Sequence, residues 1–264
     1  MQSTDTTPPI LILTMKWGTL YGPEYVNNLA RGVARHLSRP HRFICFTDDD
    51  TGLISDVETY PLPELGLPEG NSDTRWQKLA LFAPQLFDLT GTALFLDLDQ
   101  VIVGNMDVFF EGGAPFRIIR DDDLFRNKPL RALNPQRDAF LASVGNSSVF
   151  RYEIGAHSYI LENFIADPAA ATENFEISQQ FQTAQLAEQG NLNYWPKDWC
   201  VSFKNDCVPR GIKSYFKDPS LPDGARIVVF AGSPKMHDAL NGKGSRLHRR
   251  VGDVAWLKQA WEAP

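Results

Sequence analysis

An apolar run that ends in two carboxylates constrains this chain more than any other stretch. Residues 93–96 read Ala-Leu-Phe-Leu, Asp97 and Asp99 follow on either side of Leu98, and residues 101–103 are apolar again. Such a run is typical of a strand covered on both faces, as in parallel α/β sheets. Ligands of these sheets bind at the carboxyl ends of the strands. We therefore expect a buried strand that delivers Asp97 and Asp99 to a ligand site.

Two carboxylates in that position have two interpretations. They can hold a hard divalent cation, which in turn can neutralise a diphosphate. Alternatively, one aspartate caps the next turn while the other is solvated. The Asp-x-Asp pattern alone leaves both open, and the flanking sequence has to decide.

Length and composition predict an ordinary globular chain. The 264 residues are 43% hydrophobic and 22% charged, which suits one α/β domain with a sizeable core. The net charge of −6 argues against a nucleic-acid-binding protein, which would carry a basic surface. No stretch has the roughly 18 to 20 apolar residues that a transmembrane helix needs. The polar N-terminus lacks signal-peptide features, and Cys45, Cys200 and Cys207 lack metal-ligand spacing, so we expect reduced thiols and a cytoplasmic location.

The elements around Asp97 alternate between strands and helices. We predict strands over 10–14 and 42–47, helices over 24–37 and 73–87, and a loop rich in Pro and Gly over 61–70. This order is what a parallel sheet with crossover helices requires. Further along, the predicted strands are 116–119, 148–152 and 227–230, and the predicted helices are 156–167 and 178–189.

Two enzyme classes place Asp-x-Asp after an apolar strand. Haloacid-dehalogenase-like phosphatases use the first aspartate as nucleophile and the second as acid/base, and residues 95–101 resemble their opening motif. In that class the motif ends the first strand of the domain, whereas here a two-strand α/β unit precedes it. A later lysine and aspartate pair is not found in the expected order, because 121–123 follows the motif too closely.

The other class is the nucleotide-sugar glycosyltransferases of the GT-A fold. The segments that carry the likeness are, in order, 73–82, 93–99, 104–110, 145–150, 195–204 and 229–235. Together they resemble the core of the glycogenin-like family-8 enzymes and their bacterial relatives, over roughly residues 10 to 240. Any one segment would be weak, but their order and spacing are specific.

This resemblance implies a single α/β domain over 1–264, GT-A-like, with a central mostly parallel sheet flanked by helices. Its Rossmann-like N-terminal half, about 10–110, would bind nucleotide and metal. The half over about 111–240 would serve donor sugar and acceptor, and 241–264 would form a basic tail. The implied activity is metal-dependent transfer of a hexose from a UDP-sugar to a hydroxyl acceptor, with retention of anomeric configuration.

The resemblance also assigns roles on the nucleotide side. Asp97 and Asp99 match the metal and ribose ligands, and Lys78 matches the lysine that reaches the donor diphosphate. Tyr21 and Tyr25 lie where the family stacks an aromatic ring on uracil, and Asp48 follows the second strand near the base or ribose. Each of these residues also has a structural alternative. Lys78 can be an exposed helix lysine, Tyr21 can pack the loop, and Asp48 can cap a turn.

On the sugar side, Asn146 and Ser147 belong to a strand that lines the donor sugar, and Asp121 matches an aspartate facing that sugar. Lys235 would complete the cationic clamp on the diphosphate. For 121–123, the alternative is a solvated acidic turn.

The chain departs from the family at two places. The family has a histidine metal ligand beside the glycine that matches Gly232; here His237, five residues later, is either that third ligand or a surface histidine. Ser178 stands where the family has an aspartate near the reacting sugar carbon, while Gln179 is kept and Glu176 can compensate. We therefore name Gln179, Asp121 and Glu176 as candidate catalytic residues, and keep a degenerate relative that binds donor without efficient transfer as an alternative.

The expected cofactor is Mn²⁺ or Mg²⁺, and the expected partners are a UDP-sugar donor and a glycan or lipid-linked saccharide acceptor, as in bacterial polysaccharide biosynthesis. The basic stretch 243–250 either contacts a diphosphate, touches an anionic membrane surface from the cytoplasmic side, or is a solvated face.

Overall fold

The computed structural model describes residues 9–67, 74–122, 135–243 and 250–263. Within these ranges the β-strands are β1 (Ile10–Lys16), β2 (His41–Thr47), β3 (Val57–Tyr60), β4 (Thr92–Leu96), β5 (Gln100–Ile102), β6 (Arg117–Arg120), β7 (Gly145–Glu153), β8 (Cys200–Ser202) and β9 (Ile227–Val229). The α-helices are α1 (Pro23–His36), α2 (Pro135–Ser143), α3 (Tyr159–Ala166), α4 (Pro168–Asn174), α5 (Ser178–Glu188), α6 (Met236–Leu240) and α7 (Ala255–Glu262). Short 3₁₀ helices cover Thr74–Phe82, Asp107–Phe110 and Gly211–Tyr215, and Phe203–Cys207 is a π-helical turn.

The main sheet has six strands in the order β3-β2-β1-β4-β7-β6. β2 and β3 run parallel, with Phe43 opposite Val57, whereas β6 and β7 run antiparallel. β4 therefore lies inside the sheet, and its residues 93–96 are fully buried. The α/β architecture with a central, mostly parallel sheet flanked by helices is as predicted.

The chain divides into two compact units, and each is built around its own packing. The first comprises Met1–Ile12, Pro61–Phe95 and Gly112–Trp195. Its core is rich in aromatic rings: Phe150 stacks on Phe95 at 5.1 Å and on Phe116 at 5.7 Å, and Trp76 stacks on Phe164 at 4.9 Å. Stacked and edge-on rings of this kind stabilise a core beyond the area they bury.

The second unit comprises Leu13–Tyr60, Leu96–Glu111 and Pro196–Pro264. Strands β5, β9 and β8 form a small sheet here, with β5 antiparallel to β9. Helix α1 approaches β5 at Gly32, where an added Cβ would lie 3.3 Å from the Ile102 side chain. Arg35 at the end of α1 donates to the carbonyls of Ala260 and Ala263 at the end of α7.

The apolar stretch around the acidic pair, residues 93–103, contains two strands rather than one. β4 ends at Leu96, and the chain re-enters β structure at Gln100 in the small sheet. Asp97 thus follows the buried strand directly, as predicted, while Asp99 immediately precedes the next strand. Both carboxylates thus belong to the three-residue connection between β4 and β5.

The segment 104–110, which the resemblance singled out, has a structural role in the second unit. Gly104 leaves no room for a side chain, because a Cβ would lie 2.8 Å from the Ala225 carbonyl oxygen. The Asn105 side chain accepts a hydrogen bond from the Asp107 N–H at 2.7 Å, and the Asp107 carboxylate accepts from the N–H and hydroxyl of Ser38. These contacts tie the chain after β5 to the end of α1.

Some elements differ from the sequence-based expectation. The α-helix expected over 73–87 is a 3₁₀ helix over Thr74–Phe82, with Asp73 outside the described residues. Ala83 still donates to the Ala80 carbonyl, but Pro84 has no N–H to continue the helix. The short strand β3 and helix α4 were not predicted; α4 starts at a proline, with the Asp167 side chain capping Ala170 N–H at 2.9 Å. No described helix is long and apolar enough to cross a membrane.

Candidate active site

The second unit gathers the acidic pair with an aromatic loop. Leu98 is buried at 5% exposure, whereas Asp97 and Asp99 on either side of it remain partly exposed. The Tyr21 hydroxyl, on the loop between β1 and α1, donates a hydrogen bond to Asp99 Oδ2 at 3.2 Å. Burial raises the pKa of Tyr21 well above its usual value, and the charges of Asp99 and Asp97 raise it further. Tyr21 therefore stays protonated and acts as a donor toward the acidic pair.

The ring of Tyr21 is held by aromatic packing. It lies 4.7 Å from the Tyr25 ring, which in turn lies 5.3 Å from Trp261 on α7. Burial raises the pKa of Tyr25 too, with contributions from nearby carboxylates that include Asp99. Two tyrosines thus border Asp99, and both were named from the sequence.

Asp48 positions the loop that carries Tyr21. Its Oδ2 accepts a hydrogen bond from Gly18 N–H at 3.0 Å, and Gly18 has a φ of 62°, which favours glycine. Beside it, the Lys16 ammonium donates to the Asp49 carbonyl at 2.9 Å. Asp48 therefore links the loop after β2 to the loop after β1, and its role toward a nucleotide stays a prediction.

His237 contacts other groups than the acidic pair. Its Nδ1 lies 3.4 Å from the Tyr25 hydroxyl, and its Nε2 lies 3.6 Å from Asp238 Oδ1. Over the described ranges, no three or more His, Cys, Asp or Glu side chains are grouped so that they could hold a metal ion. Asp97, Asp99 and His237 therefore do not form a three-ligand group, and the assignment of His237 as a metal ligand stays a prediction.

Two lysines lie near Gly232, the glycine that follows β9: Lys204 through space, and Lys235 three positions later in the sequence. Lys235 is the N-cap residue of α6 and is partly exposed. The Lys204 ammonium donates to the Ala231 carbonyl at 2.8 Å and lies 3.2 Å from the position of an added Cβ on Gly232. Gly232 has a φ of 84°, so the backbone bends sharply at this point. Lys204 was not predicted from the sequence, although it ends the segment 195–204 that carried part of the resemblance.

The first unit contains a second cluster, a chain of polar contacts that we call the amide chain: Lys78, Ser147, Gln179 and Asp121. The Lys78 ammonium lies 3.4 Å from the Ser147 carbonyl oxygen and 5.2 Å from the centre of the Phe95 ring. Ser147 N–H donates to Gln179 Oε1 at 3.5 Å, and Gln179 Nε2 donates to Asp121 Oδ2 at 2.7 Å. Four residues from distant parts of the sequence, all named as candidates, thus meet in one unit.

The remaining candidates of this unit lie at its margins. Asn146 sits beside Ser147 on β7, and its side chain accepts from Ser148 N–H at 2.9 Å. Glu176 is exposed and pairs with Arg137 at 2.8 Å, so it does not join the amide chain. Ser178, the first residue of α5, is buried. Asp123 and most of the basic stretch 243–250 lie outside the described residues.

Comparisons with known proteins identify the fold. The sequence matches no protein-family profile and no curated protein. The galactosyltransferase LgtC, solved with donor and acceptor sugar analogs, aligns over 86% of this chain and 88% of its own with a TM-score of 0.58 at 12% identity. This chain has the GT-A fold. The expected resemblance to GT-A glycosyltransferases is thereby confirmed at the level of the fold.

Two further GT-A neighbours agree. The glycosyltransferase GlyE of Streptococcus pneumoniae TIGR4 has a TM-score of 0.57 at 13% identity, over 87% of this chain and 56% of GlyE. The bifunctional glycosyltransferase WbbM has a TM-score of 0.55 at 12% identity, over 89% of this chain. The chain spans about half the length of WbbM, 48%.

Proposed function

We propose that this protein is a metal-dependent glycosyltransferase that moves a hexose from a UDP-sugar to a hydroxyl group of a glycan or lipid-linked saccharide. The observation that carries the proposal is the contact of the Tyr21 hydroxyl with Asp99, next to Asp97 at the end of β4, in a chain with the GT-A fold. The acidic pair follows an interior strand, and α/β proteins bind their ligands at the carboxyl ends of such strands. We propose retention of configuration on the sequence resemblance to glycogenin-like enzymes.

The acidic pair suits a hard cation that is completed by a substrate. Mg²⁺ is commonly bound by one or two carboxylates together with substrate phosphates, rather than by a cage of protein ligands. Asp97 and Asp99 are partly exposed, so their oxygens face solvent as well as protein. These two residues would hold Mn²⁺ or Mg²⁺, which when bound supplies positive charge against the diphosphate leaving group.

The tyrosine loop would serve the nucleoside. The Tyr21 hydroxyl stays protonated and fixes the orientation of Asp99. The ring of Tyr21 would then stack on the uracil base. Base–aromatic stacking is worth roughly 1–3 kcal/mol per base. Asp48, by holding Gly18, would keep that ring in place. Lys235, and with it Lys204, would add ammonium groups against the diphosphate.

The amide chain would serve the sugar. Because Asp121 accepts from the Gln179 amide nitrogen at 2.7 Å, the amide oxygen is turned the other way, toward Ser147 N–H. An oriented carbonyl dipole favours positive charge that develops on a sugar carbon during transfer. By the resemblance, Lys78 would contact the diphosphate. Its ammonium lies 3.4 Å from the Ser147 carbonyl oxygen, a long hydrogen bond that can be exchanged for one to a phosphate oxygen. Asn146 and Ser147 would line the donor sugar.

A second candidate function is donor binding with little transfer. It draws on two observations: the described side chains offer no three-ligand metal group, and Ser178 brings no charge to the start of α5. The phosphatase hypothesis drew on the Asp-x-Asp strand alone, whereas the likeness to a solved glycosyltransferase covers 86% of the chain.

The test is release of UDP from a panel of UDP-hexoses by the full-length protein, with Mn²⁺, with Mg²⁺ and with a chelator. We expect metal-dependent release for at least one donor, accelerated by a glycan acceptor and lost in Asp97→Asn/Asp99→Asn. Asp223→Asn, an exposed aspartate outside both clusters, is the matched control and should keep activity. Metal-dependent UDP binding without release would favour the binding-only candidate.

A further inference from the structure

An exposed apolar segment lies on the second unit, far along the sequence from the acidic pair. The 3₁₀ helix Gly211–Tyr215 and its flanking residues form what we call the 210–217 patch. Ile212 is 74% exposed, Tyr215 51% and Phe216 81%. Singly scattered apolar residues are ordinary on surfaces, but three within five positions form a local patch of the kind that marks an interaction site.

The exposure of this patch is fixed by the fold. Ser214, in the middle of the segment, is only 2% exposed. Its hydroxyl donates to the Gly211 carbonyl at 2.8 Å and accepts from Arg250 N–H at 3.2 Å. Phe216 N–H donates to the Lys213 carbonyl at 3.1 Å. Because Ser214 is turned inward and held there, Ile212 and Phe216 on either side of it are held outward.

Exposed cationic residues alternate with these apolar residues along the chain, and Arg250 joins them through its backbone contact with Ser214. Arg210, Lys213, Lys217 and Arg250 are all exposed. The nearest acid in sequence is Asp218, whose Oδ1 accepts from Asp253 N–H at 2.9 Å. Asp218 and Asp253 are exposed too, so the four cations exceed the two neighbouring acids, on a chain whose net charge is −6. Such a local excess of cations favours an anionic partner.

We propose that the 210–217 patch docks on an anionic lipid surface. Interleaved cations and exposed Phe, Tyr and Ile side chains are the composition of segments that lie in a membrane interface. Aromatic rings are enriched at the level of the headgroups, and each Lys or Arg near an anionic surface adds to the attraction. Docking would bury the apolar side chains that the fold holds outward. The inference does not rest on the proposed glycosyl transfer, because it uses none of the residues assigned to the donor.

Vesicle co-sedimentation of the full-length protein tests this proposal. We expect binding to vesicles of phosphatidylcholine mixed with phosphatidylglycerol, no comparable binding to phosphatidylcholine alone, and weakening as salt is raised. Lys213→Gln/Lys217→Gln should weaken binding about 25-fold, since each lysine contributes about fivefold. Ile212→Ser/Phe216→Ser should weaken it at least about tenfold, because the side chains that enter the interface are lost.

Matched controls separate the patch from general effects. Leu20 is 74% exposed, the same as Ile212, and Leu20→Ser should bind vesicles as the unmodified protein does. Lys197→Gln/Lys258→Gln removes the same charge from two exposed lysines outside the patch and should have less than about a twofold effect. Circular dichroism of every variant verifies that it is folded.

Three results would overturn the proposal. One is that the protein fails to bind mixed vesicles at low salt, and another is that both patch variants bind as well as the controls. The third is a dimer, detected by light scattering and lost in Ile212→Ser/Phe216→Ser, in a protein that does not bind vesicles. That result would assign the patch to a second copy of the chain.

Discussion

Tyr21 and Asp99 are 78 positions apart in the sequence, yet the Tyr21 hydroxyl donates a hydrogen bond to Asp99 Oδ2 at 3.2 Å. The contact joins the residue before β5 to the loop after β1. Asp48, which follows β2, holds the same loop through Gly18 N–H. Residues that follow three strands of the main sheet are thus linked by hydrogen bonds, at the kind of position where α/β proteins bind ligands.

Two substitutions separate the contribution of the Tyr21 hydroxyl from that of its ring. Tyr21→Phe removes the hydroxyl and keeps the ring, so we expect UDP affinity within about threefold of the unmodified protein. Tyr21→Leu also removes the stacking face and should weaken UDP binding about tenfold or more, since base stacking is worth roughly 1–3 kcal/mol. Isothermal titration calorimetry with Mn²⁺ present measures both. Equal affinities for the Phe and Leu variants would show that the ring does not contact the base.

Gln179 and Asp121 offer a test of the amide chain. Gln179→Glu would place a second carboxylate 2.7 Å from Asp121, which is only 7% exposed. Two carboxylates that close cannot both ionise without cost, so one pKa would rise. We expect Gln179→Glu to lower stability by about 1–3 kcal/mol at neutral pH and by less at acidic pH, where one of the pair is protonated.

The swapped variant is the control for that experiment. Asp121→Asn/Gln179→Glu restores one amide and one carboxylate, and should recover most of the lost stability. Thermal unfolding at pH 5 and pH 8 gives the comparison. A swapped variant no more stable than Gln179→Glu would contradict the direct contact between these two side chains.

The buried Tyr152 hydroxyl should make the free energy of unfolding fall at alkaline pH. Burial raises its pKa above the usual 10.0, and its hydroxyl donates to the Leu81 carbonyl at 3.0 Å. Above about pH 10 the unfolded chain loses the phenol proton while the folded chain keeps it, so stability falls as pH rises. Tyr152→Phe should cost about 1 kcal/mol at neutral pH and make the alkaline decline shallower. Urea titrations at several pH values check this, with exposed Tyr215→Phe as control; an unchanged slope would contradict it.

The cysteines should be unreactive in the folded protein. Cys45, Cys200 and Cys207 are free and buried, and burial raises the pKa of Cys45 and of Cys207 to about 12. Burial also raises the pKa of Cys200. Thiolate is the reactive form, so Ellman's reagent at pH 8 should label none of them until denaturant is added, and then all three. Rapid labelling of the native protein would contradict their burial.

Much of the fold could be predicted from local pattern. The interior strand β4, the amphipathic helix α1 and the strand that follows it were expected from hydrophobic periodicity, because burial on one or both faces leaves that mark in sequence. The split between β4 and β5 could not be seen, since both strands are apolar and only tertiary packing sends Gln100 into another sheet. Likewise, a 3₁₀ and an α-helix share their apolar spacing over one or two turns.

Candidate residues were easier to name than their contacts. Asp97, Asp99 and Tyr21 were named and meet in one unit, as do the four residues of the amide chain. Asp48 was named for the nucleotide but contacts Gly18 N–H, a backbone group that no side-chain pattern reveals. Lys204 was missed because its neighbour, the bend at Gly232, lies in a distant segment.

The most direct test of the central proposal is calorimetric titration of UDP into the full-length protein, with and without Mn²⁺. We expect Mn²⁺-dependent binding that falls at least about a hundredfold in Asp97→Asn/Asp99→Asn and is kept in Asp223→Asn. UDP binding that is absent in every condition, or that is equally strong in the double variant, would contradict a nucleotide-sugar site at the end of β4.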